Sequence, residues 1–274
     1  MELSGLIDEI LFVIVLYKRK AEASQAFNGI RKLSELTPNP VSIFLYDNSP
    51  EPSIPEDATV IYRHDPENSG VSKAYNEAFI SASRMKKKWL LLLDQDTFFE
   101  TDFIKKLPEA LQKNSGSVAF VPVLFDKYGS VSPFRWLLGR GIRTPDVPDR
   151  SPLRKFRFVN SGLLIKCEAF QNAGGYPESI PFDFSDIAFG ENLRKVTDHF
   201  IVVKTSMQHS FSGSEKISLE VAAHRYVHFC KGAFAMGRTF GSHSLYFLNA
   251  LLRGLNLSVA YKNIIFLKTF FKQL

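Results

Sequence analysis

Residues 90–97 read Leu-Leu-Leu-Leu-Asp-Gln-Asp-Thr, four leucines followed directly by two carboxylates one residue apart. A continuous apolar run of this kind is typical of a strand that is buried on both faces of a parallel sheet. On an extended backbone, Asp94 and Asp96 point to the same side. Two oxygen donors placed in this way suit Mg²⁺ or Mn²⁺, which take further oxygens from water or a diphosphate. The structural alternative, an Asp that only caps a helix or ends a strand, is less favoured after four leucines.

The segments before residue 90 repeat the pattern of a buried run followed by polar residues. Apolar runs predict three further strands, and helical spacing of apolar residues predicts two helices. The order strand, helix, strand, strand, helix, strand predicts an α/β fold, which binds ligands at the carboxyl ends of its strands. These elements are expected at 10–16, 20–36, 41–46, 59–62 and 68–84.

The second half of the chain is less regular. The stretch 126–153 is rich in Pro, Gly and Arg, so we expect a mobile loop that covers a site. Patterning beyond it predicts strands at 156–166 and 200–204 and helices at 167–173 and from Phe182 to about Lys195.

The charge of the chain is distributed unevenly. Its net charge is +6, yet Val221–Leu274 holds seven Lys or Arg and no Asp or Glu, against 27 basic and 28 acidic residues in 1–220. Basic, aromatic-rich helices of this kind can lie on an anionic membrane surface. Packing on the core or on a second subunit, as in a homodimer, is the alternative. Binding to nucleic acid is disfavoured because no nucleic-acid motif accompanies the charge.

Cysteine content, the charges near the N-terminus and hydropathy indicate the cellular compartment in which the protein is expected. Two cysteines are too few for a disulfide framework, and their spacing does not match a zinc site. The first residues carry Glu2, Asp8 and Glu9 where a secretory signal would carry positive charge. Apolar runs of about 18 residues, as a spanning helix needs, do not occur. We therefore expect a cytoplasmic protein.

Two more polar segments follow predicted strands. Tyr46-Asp47-Asn48-Ser49 ends the strand at 41–46, and the segment 68–76 enters a helix whose N–H groups suit phosphate or ribose oxygens. Taken separately, each also fits a purely structural feature, an Asx-turn at Asp47 and a capped helix at Asn68.

Together and in this order, the motifs resemble the inverting glycosyltransferases of family 2, most closely the rhamnosyltransferase-like branch. The resemblance spans roughly residues 10–211 and implies the GT-A fold, an α/β/α sandwich with a mostly parallel central sheet. It implies a catalytic domain at 1–220 and a helical extension at 221–274. Its motifs are Val13-Ile14-Val15-Leu16-Tyr17, Tyr46-Asp47-Asn48-Ser49, Asn68-x-Gly70-x-x-x-Ala74-x-Asn76, Leu92-Leu93-Asp94-Gln95-Asp96-Thr97, Asn160-Ser161-Gly162 and Asp183-x-x-Asp186.

The resemblance implies roles for individual residues. Asp47 is similar to the carboxylate that accepts a hydrogen bond from a uracil or thymine ring, and Tyr17 to the wall beside that base. Asp96 is similar to the direct metal ligand, whereas Asp94 lies nearer the ribose and the donor sugar. His209 corresponds to a further metal or diphosphate ligand, with a strand-end histidine as the alternative. The remaining residues implied to border the nucleotide sugar are Asn68, Gly70, Lys73, Asn76 and Gln95.

An inverting transfer needs a carboxylate within hydrogen-bond reach of the attacking hydroxyl. The family places it at the start of a helix, commonly in a Glu-Asp pair, and here the pair is replaced by Asp183-Phe184-Ser185-Asp186. Asp186 is favoured over Asp183, and the departure from the usual pair leaves the choice between them open.

The resemblance implies a transferase that depends on Mg²⁺ or Mn²⁺ and acts in bacterial surface polysaccharide synthesis on the inner face of the membrane. The donor would be a nucleoside diphosphate sugar, with dTDP-rhamnose favoured over a UDP-hexose or UDP-N-acetylhexosamine. The acceptor would be a glycan or a lipid-linked glycan. A sugar-nucleotide-binding scaffold without catalysis is the alternative from another class. A nucleotidyltransferase is disfavoured because residues 16–20 lack the glycine-rich phosphate loop.

Overall fold

The computed structural model describes residues 2–35, 37–57, 59–98, 101–208 and 217–274. The helices are α1 (Leu3–Asp8), α2 (Gln25–Ser34), α3 (Val71–Arg84), α4 (Thr101–Lys113), α5 (Cys167–Asn172), α6 (Ser185–Leu193), α7 (Leu219–Phe240), α8 (His243–Ala260) and α9 (Ile265–Lys272). The strands are β1 (Ile10–Leu16), β2 (Ile43–Asp47), β3 (Ile61–His64), β4 (Trp89–Asp94), β5 (Ala119–Asp126), β6 (Gly129–Ser132), β7 (Phe134–Leu137), β8 (Arg140–Ile142), β9 (Arg150–Pro152), β10 (Phe156–Arg157), β11 (Leu163–Lys166) and β12 (His199–Gln208).

The described strands form one large sheet and one small one. The large sheet has the order β3-β2-β1-β4-β11-β5-β12-β9, with β6 paired to β5. Strands β3, β2, β1 and β4 run parallel to one another, and β12 runs parallel to β5. Strand β11 lies antiparallel between β4 and β5. The predicted α/β fold is confirmed, with the carboxyl ends of β1, β2 and β4 at one edge.

The four leucines of β4 are completely buried and alternate between two cores. Leu91 and Leu93 belong to the core on the side of α2 and α4, and Leu90 and Leu92 to the core on the side of α3, α5 and α6. Burial of each such side chain contributes about 1.5–3 kcal/mol. The strand is therefore buried on both faces, as its continuous apolar run predicted.

Two expectations for the middle of the chain are wrong. Instead of a mobile loop, 126–153 contains β6, the hairpin β7–β8, which pairs with β10, and β9, which joins the large sheet. The predicted strand at 156–166 is divided into β10 and β11 by 158–162, because Gly162 adopts a left-handed conformation. Helix α4 was not predicted from the sequence, although its buried residues Phe103, Ile104, Leu107 and Leu111 have helical spacing.

The three C-terminal helices pack around a core of their own that also includes residues of α6. Helix α7 begins at the Ser218 cap, whose hydroxyl accepts the Val221 N–H, and ends at the left-handed Gly241. A Cβ on Gly232 of α7 would lie 2.5 Å from the carbonyl oxygen of Asp183, so glycine permits this close approach. None of the helices in the described segments is long and apolar enough to cross a bilayer.

Gly162 gives the first testable prediction. Its φ is +85°, and an added Cβ would lie 2.5 Å from Cγ of Pro122 on β5. We expect Gly162→Ala to lower the free energy of unfolding by about 1–3 kcal/mol, since backbone strain and a steric clash act together. Urea denaturation measures the change. Gly116→Ala is the matched control because a Cβ there meets open space; equal stability of the two variants would contradict the prediction.

Candidate active site

The carboxylates after β4 lie on a turn. The strand ends at Asp94, and the Thr97 N–H donates to the Asp94 carbonyl oxygen at 3.1 Å, which closes the turn. Ser161 holds this turn, because its hydroxyl accepts the Asp94 N–H at 3.1 Å and shares a hydrogen bond with the Thr97 hydroxyl. The expected extended backbone from Asp94 to Asp96 is therefore wrong, although both residues still face one cavity.

That cavity, here called the strand-end cavity, has a volume of about 670 Å³ and lies at the carboxyl ends of β1 and β4. It brings together residues that are far apart in the sequence. The sequence-predicted residues in its wall are Tyr17, Asn68, Asp94, Gln95, Asp96 and Asp183.

Tyr17 is joined to the turn after β4 through its backbone. Its N–H donates to Oε1 of Gln95 at 2.9 Å, and its carbonyl oxygen accepts from Nε2 of Gln95 at 3.3 Å. Tyr17 as a whole is 42% exposed. Gln95 thus fixes the backbone at the end of β1 and leaves the aromatic ring available to a ligand.

Asp47 is fully buried. Its Oδ1 accepts the Ser49 N–H at 2.9 Å, and its Oδ2 accepts from the Ser53 N–H and the Tyr62 hydroxyl at 3.0 and 2.8 Å. The neighbouring Asn48 lines the strand-end cavity. Its buried Oδ1 has no hydrogen-bond partner in the described part of the chain. The geometry therefore turns Asp47 inward and presents Asn48 to the cavity.

The N-terminus of α3 is occupied by another part of the chain. The Val71 N–H donates to the Pro181 carbonyl oxygen at 2.9 Å, and the Ser72 hydroxyl donates to the Ile180 carbonyl oxygen at 2.7 Å. Gly70, with φ +96°, permits this contact because a Cβ would lie 2.4 Å from the Pro181 oxygen. The expectation that the first N–H of this helix is free for a phosphate is wrong.

Two further residues of α3 also have partners away from the strand-end cavity. Nζ of Lys73 lies 3.4 Å from Oδ2 of Asp65. The Asn76 amide accepts the Tyr176 N–H at 2.9 Å and donates to the Tyr176 carbonyl oxygen at 3.0 Å. Asn76 therefore fixes the segment that leads toward Asp183, and Lys73 stabilises the turn before the helix.

Helices α7 and α8 contribute two arginines and two histidines to the wall of the strand-end cavity, which the sequence had not indicated. His224, Arg225 and His228 of α7 and Arg253 of α8 line it. Burial raises the pKa of Asp183, and the charges of Arg253 and Arg225 partly offset that rise. The spacing of residues 224, 225 and 228 places them within one turn of helix, which was the available signal.

Asp186 lies beside a second cavity of about 460 Å³, here called the hairpin cavity because hairpin β7–β8 forms one wall. Asp183 lines both cavities. Burial, with smaller contributions from Asp183 and Asp94, raises the pKa of Asp186 to about 7. The start of α6 is tied to the core by Asn160, which accepts the Tyr176 hydroxyl at 2.7 Å and donates to the Ser185 hydroxyl at 3.3 Å.

The donor atoms available for a metal are the carboxylates of Asp94 and Asp96. No group of three His, Cys, Asp or Glu side chains in the described ranges could hold a metal ion by itself. Two carboxylates nevertheless fit Mg²⁺ or Mn²⁺ when a bound diphosphate and water supply the remaining oxygens. His209, predicted as a further ligand, lies outside the described residues.

The pKa of Asp186 gives a prediction for stability. The pKa of Asp186 is about 7 in the folded protein, whereas its ordinary value is 3.8. Between these two pH values the carboxyl is protonated in the folded protein and ionised in the unfolded chain. The free energy of unfolding therefore decreases as the pH rises through this range, because Asp186 must ionise in the folded protein. We expect Asp186→Asn to raise the free energy of unfolding at about pH 8 and to have a smaller effect at about pH 4, measured by urea denaturation.

Asp126→Asn is the control with the opposite sign. Arg143 bonds the Asp126 carboxylate at 2.7 and 2.8 Å and holds its pKa below the ordinary value. Loss of that charge should lower stability at neutral pH. Equal or lower stability of Asp186→Asn at about pH 8 would contradict the prediction.

Comparisons with known proteins identify the family and the fold of this chain. A family model described as glycosyl transferase family 2 matches residues 11–171, whereas the comparison with curated proteins gives no significant match. Among solved structures, S. aureus TarS 1-349 in complex with UDP is similar at a TM-score of 0.52 and 12% identity, over 83% of this chain and 65% of that chain. TarS 1-349 without UDP is similar at a TM-score of 0.51 and 12% identity, over 95% of this chain and 88% of that chain.

A longer TarS structure is similar at a TM-score of 0.53 and 12% identity, over 91% of this chain but only 43% of that chain. At this identity the likeness shows the fold alone. The family model covers more than half of the chain, and its span contains β1 from Leu11 onward, the turn after β4 and the Asn160-Ser161-Gly162 motif. This chain therefore belongs to glycosyl transferase family 2 and has the GT-A fold.

Proposed function

We propose that this protein transfers a sugar from a pyrimidine nucleoside diphosphate to a hydroxyl group of a glycan or lipid-linked glycan, with inversion at the anomeric carbon, in bacterial surface polysaccharide assembly. The observation that carries the proposal is the convergence of Asp94, Asp96 and Asp183 on the strand-end cavity, with Asp186 on the adjoining hairpin cavity. The motifs favour dTDP-rhamnose as the donor, with a UDP-hexose or UDP-N-acetylhexosamine as the alternative.

The nucleoside would lie against Tyr17 and Asn48. Asn48 lies in the same wall of the cavity and would bond to the imide edge of uracil or thymine. The ring of the half-exposed Tyr17 would pack on the flat face of the base. Uracil and thymine share the imide edge, so this pairing suits UDP and dTDP alike. The fold likeness to TarS, which was solved with UDP, supports a donor of this class.

The diphosphate would lie between the turn after β4 and helix α7. Asp94 and Asp96 would hold Mg²⁺ or Mn²⁺, which when bound neutralises negative charge on the leaving diphosphate. Arg225 and His224 line the same cavity from α7 and would face the phosphate oxygens. Positive charge from both sides would stabilise the leaving group as its bond to the sugar breaks.

Asp186 is the proposed general base. During transfer, the bond from the anomeric carbon to the diphosphate oxygen breaks, the bond to the acceptor oxygen forms, and the acceptor proton passes to Asp186. A pKa of about 7 suits this task near neutral pH, because the deprotonated form is available and still basic. Asp183 is the less favoured base, since Arg253 and Arg225 offset the burial effect on its pKa.

Calorimetric titration with UDP and dTDP, each with Mn²⁺ and with EDTA, tests the proposal. We expect one nucleotide to bind in a metal-dependent manner. Asp96→Ala should weaken that binding about 10- to 100-fold, since it removes a charged ligand. Asp186→Asn should retain binding and lower sugar transfer about 10²–10⁴-fold, the usual contribution of a general base.

Asp102→Ala is the matched control, because Asp102 lies on α4 with Lys106 as its ion-pair partner. It should bind and turn over like the wild type. Binding that is unchanged in Asp96→Ala would refute the metal assignment. Binding without turnover of any dTDP- or UDP-sugar would favour the non-catalytic scaffold, and loss of transfer in Asp183→Asn but not in Asp186→Asn would reverse the assignment of the base.

We also propose that the C-terminal helices attach the protein to the inner face of an anionic membrane. Leu248, Leu252, Leu255 and Val259 form an exposed apolar stripe on α8 with the spacing of one helix face. On α9, Phe266 and Phe270 are buried, whereas Phe271, Lys268 and Lys272 are exposed. Exposed apolar and cationic side chains together suit an anionic lipid surface. A homodimer through the same helices is the alternative partner.

Charge reversal on α9 tests the membrane proposal. Lys268→Glu/Lys272→Glu should reduce binding to vesicles that contain anionic lipid by more than about tenfold, since each basic residue near the surface contributes about 1 kcal/mol. Vesicle co-sedimentation measures the loss. Lys86→Glu/Lys127→Glu is the matched control, because both lysines are exposed and lie outside the C-terminal helices, and it should bind normally. Vesicle binding that survives the α9 reversal, or a stable dimer that this reversal dissociates in solution, would contradict membrane attachment through this face.

A further inference from the structure

We propose that the hairpin cavity is a glycan-binding site and that it takes a neutral sugar residue of the acceptor. The inference rests on the proposed transferase function for the role of that sugar. Its evidence is separate, because it comes from the position of the cavity, the chemistry of its walls and the way in which those walls are held together.

The position of the hairpin cavity follows from two residues that it shares with the strand-end cavity. Asp183 and Arg253 line both, so the two cavities meet at these side chains. Asp186 lines the hairpin cavity, while Asp94 and Asp96 line the strand-end cavity. A donor in the strand-end cavity would therefore have its sugar near this boundary, and a hydroxyl that approaches Asp186 would come from the hairpin cavity.

The walls of the hairpin cavity combine aromatic rings with amides. Trp136 on β7 is half-buried and lies 6.2 Å from Phe134 between ring centroids. Phe229 and the amides of Asn249 and Asn256 also line the cavity. A pyranose presents a face of C–H groups and an edge of hydroxyl groups, which suit an aromatic ring and amide groups respectively. The volume of 460 Å³ is within the roughly 300–1,000 Å³ typical of small-ligand sites.

The walls are joined by hydrogen bonds between the hairpin and α8. Oδ1 of Asn249 accepts from Nε of Arg140 at 2.6 Å, and its Nδ2 donates to the Leu138 carbonyl oxygen at 3.0 Å. A Cβ on Gly139, whose φ is +70°, would lie 2.6 Å from Nδ2 of Asn249. Glycine therefore allows the hairpin turn to dock on this amide. The cavity is built by contacts between distant segments, so its shape is set before a ligand binds.

The charges of the described lining residues are balanced. Asp183 and Asp186 are opposed by Arg140 and Arg253, and the Arg253 guanidinium lies 4.0 Å from the centre of the Phe229 ring. A strongly anionic or cationic ligand would leave one pair of charges uncompensated. A neutral ring with several hydroxyl groups fits the cavity better, because amides, guanidinium groups and carboxylates can all bond to hydroxyls.

Tryptophan fluorescence gives a test that does not require turnover. The chain has two tryptophans, and Trp89 is buried in the core, whereas Trp136 lines the hairpin cavity. The full-length protein is titrated with the methyl glycosides of rhamnose, glucose, galactose and N-acetylglucosamine. Glucose 6-phosphate and inorganic phosphate form the anionic arm. We expect a saturable change in emission with at least one methyl glycoside and none with phosphate.

Three variants assign that change to the hairpin cavity. Trp136→Phe should abolish the change in tryptophan emission, because Trp89, which is buried in the core, remains as the only tryptophan. Asn256→Ala should weaken glycoside binding about tenfold, the effect of losing one good hydrogen bond. Asn172→Ala, an exposed asparagine on α5, is the matched control and should bind like the wild type.

Several results would overturn the inference. These are the absence of a saturable response across the glycosides, a response that persists in Trp136→Phe, unchanged affinity in Asn256→Ala, and binding of the phosphates in place of the methyl glycosides. The nucleotide titration described above separates the two proposals. Nucleotide binding and turnover without a glycoside response would refute the glycan site alone, whereas a glycoside response without nucleotide binding would refute the transferase proposal and leave a sugar-binding site.

Discussion

The candidate site depends on the hydrogen bonds of three consecutive residues, Asn160, Ser161 and Gly162. Ser161 holds the turn after β4 through the Asp94 N–H. The Gly162 N–H donates to the Leu92 carbonyl oxygen at 2.8 Å and joins this segment to the same strand. Asn160 bonds to Ser185 at the start of α6. One short segment therefore sets the positions of the carboxylates on the turn and of the carboxylates near α6 relative to each other.

The arrangement of charges has a cost that the proposed chemistry explains. Asp183 and Asp94 add to the effect of burial on the pKa of Asp186, so these carboxylates destabilise one another in the folded chain. Arg225 and Arg253 oppose part of that repulsion at Asp183. A bound metal ion would further reduce the repulsion between these carboxylates, and a bound diphosphate would add negative charge near them. Such a loss of folding stability is expected at a functional site, because a carboxylate that acts as a base near neutral pH needs a raised pKa.

Much of the fold could be predicted because the governing signals are local. The apolar run at 10–16 coincides with β1, and the runs near β2, β3 and β4 are displaced by at most two residues at either end. The order of strands and helices then limits the topology to a few choices. For the site, the carboxyl ends of β1 and β4 were predicted to converge, and Tyr17, Asp94 and Asp96 do line one cavity. The prediction for Asp94 and Asp96 needed only strand direction and residue type, whereas the prediction for Tyr17 came from the family resemblance.

The sequence by itself determined the α/β class, the strands that deliver carboxylates to one edge, and the basic character of the C-terminal helices. The tertiary structure decided that Asp47 faces inward and Asn48 faces the cavity, since that depends on contacts with Tyr62 and Ser53. It also decided that Arg225 of α7 lines the strand-end cavity and that Arg253 of α8 lines both cavities. The sequence pattern of a basic helix is the same whether the helix lies on a membrane or lines a cavity of the protein. Only the long-range packing of the helix distinguishes these two positions.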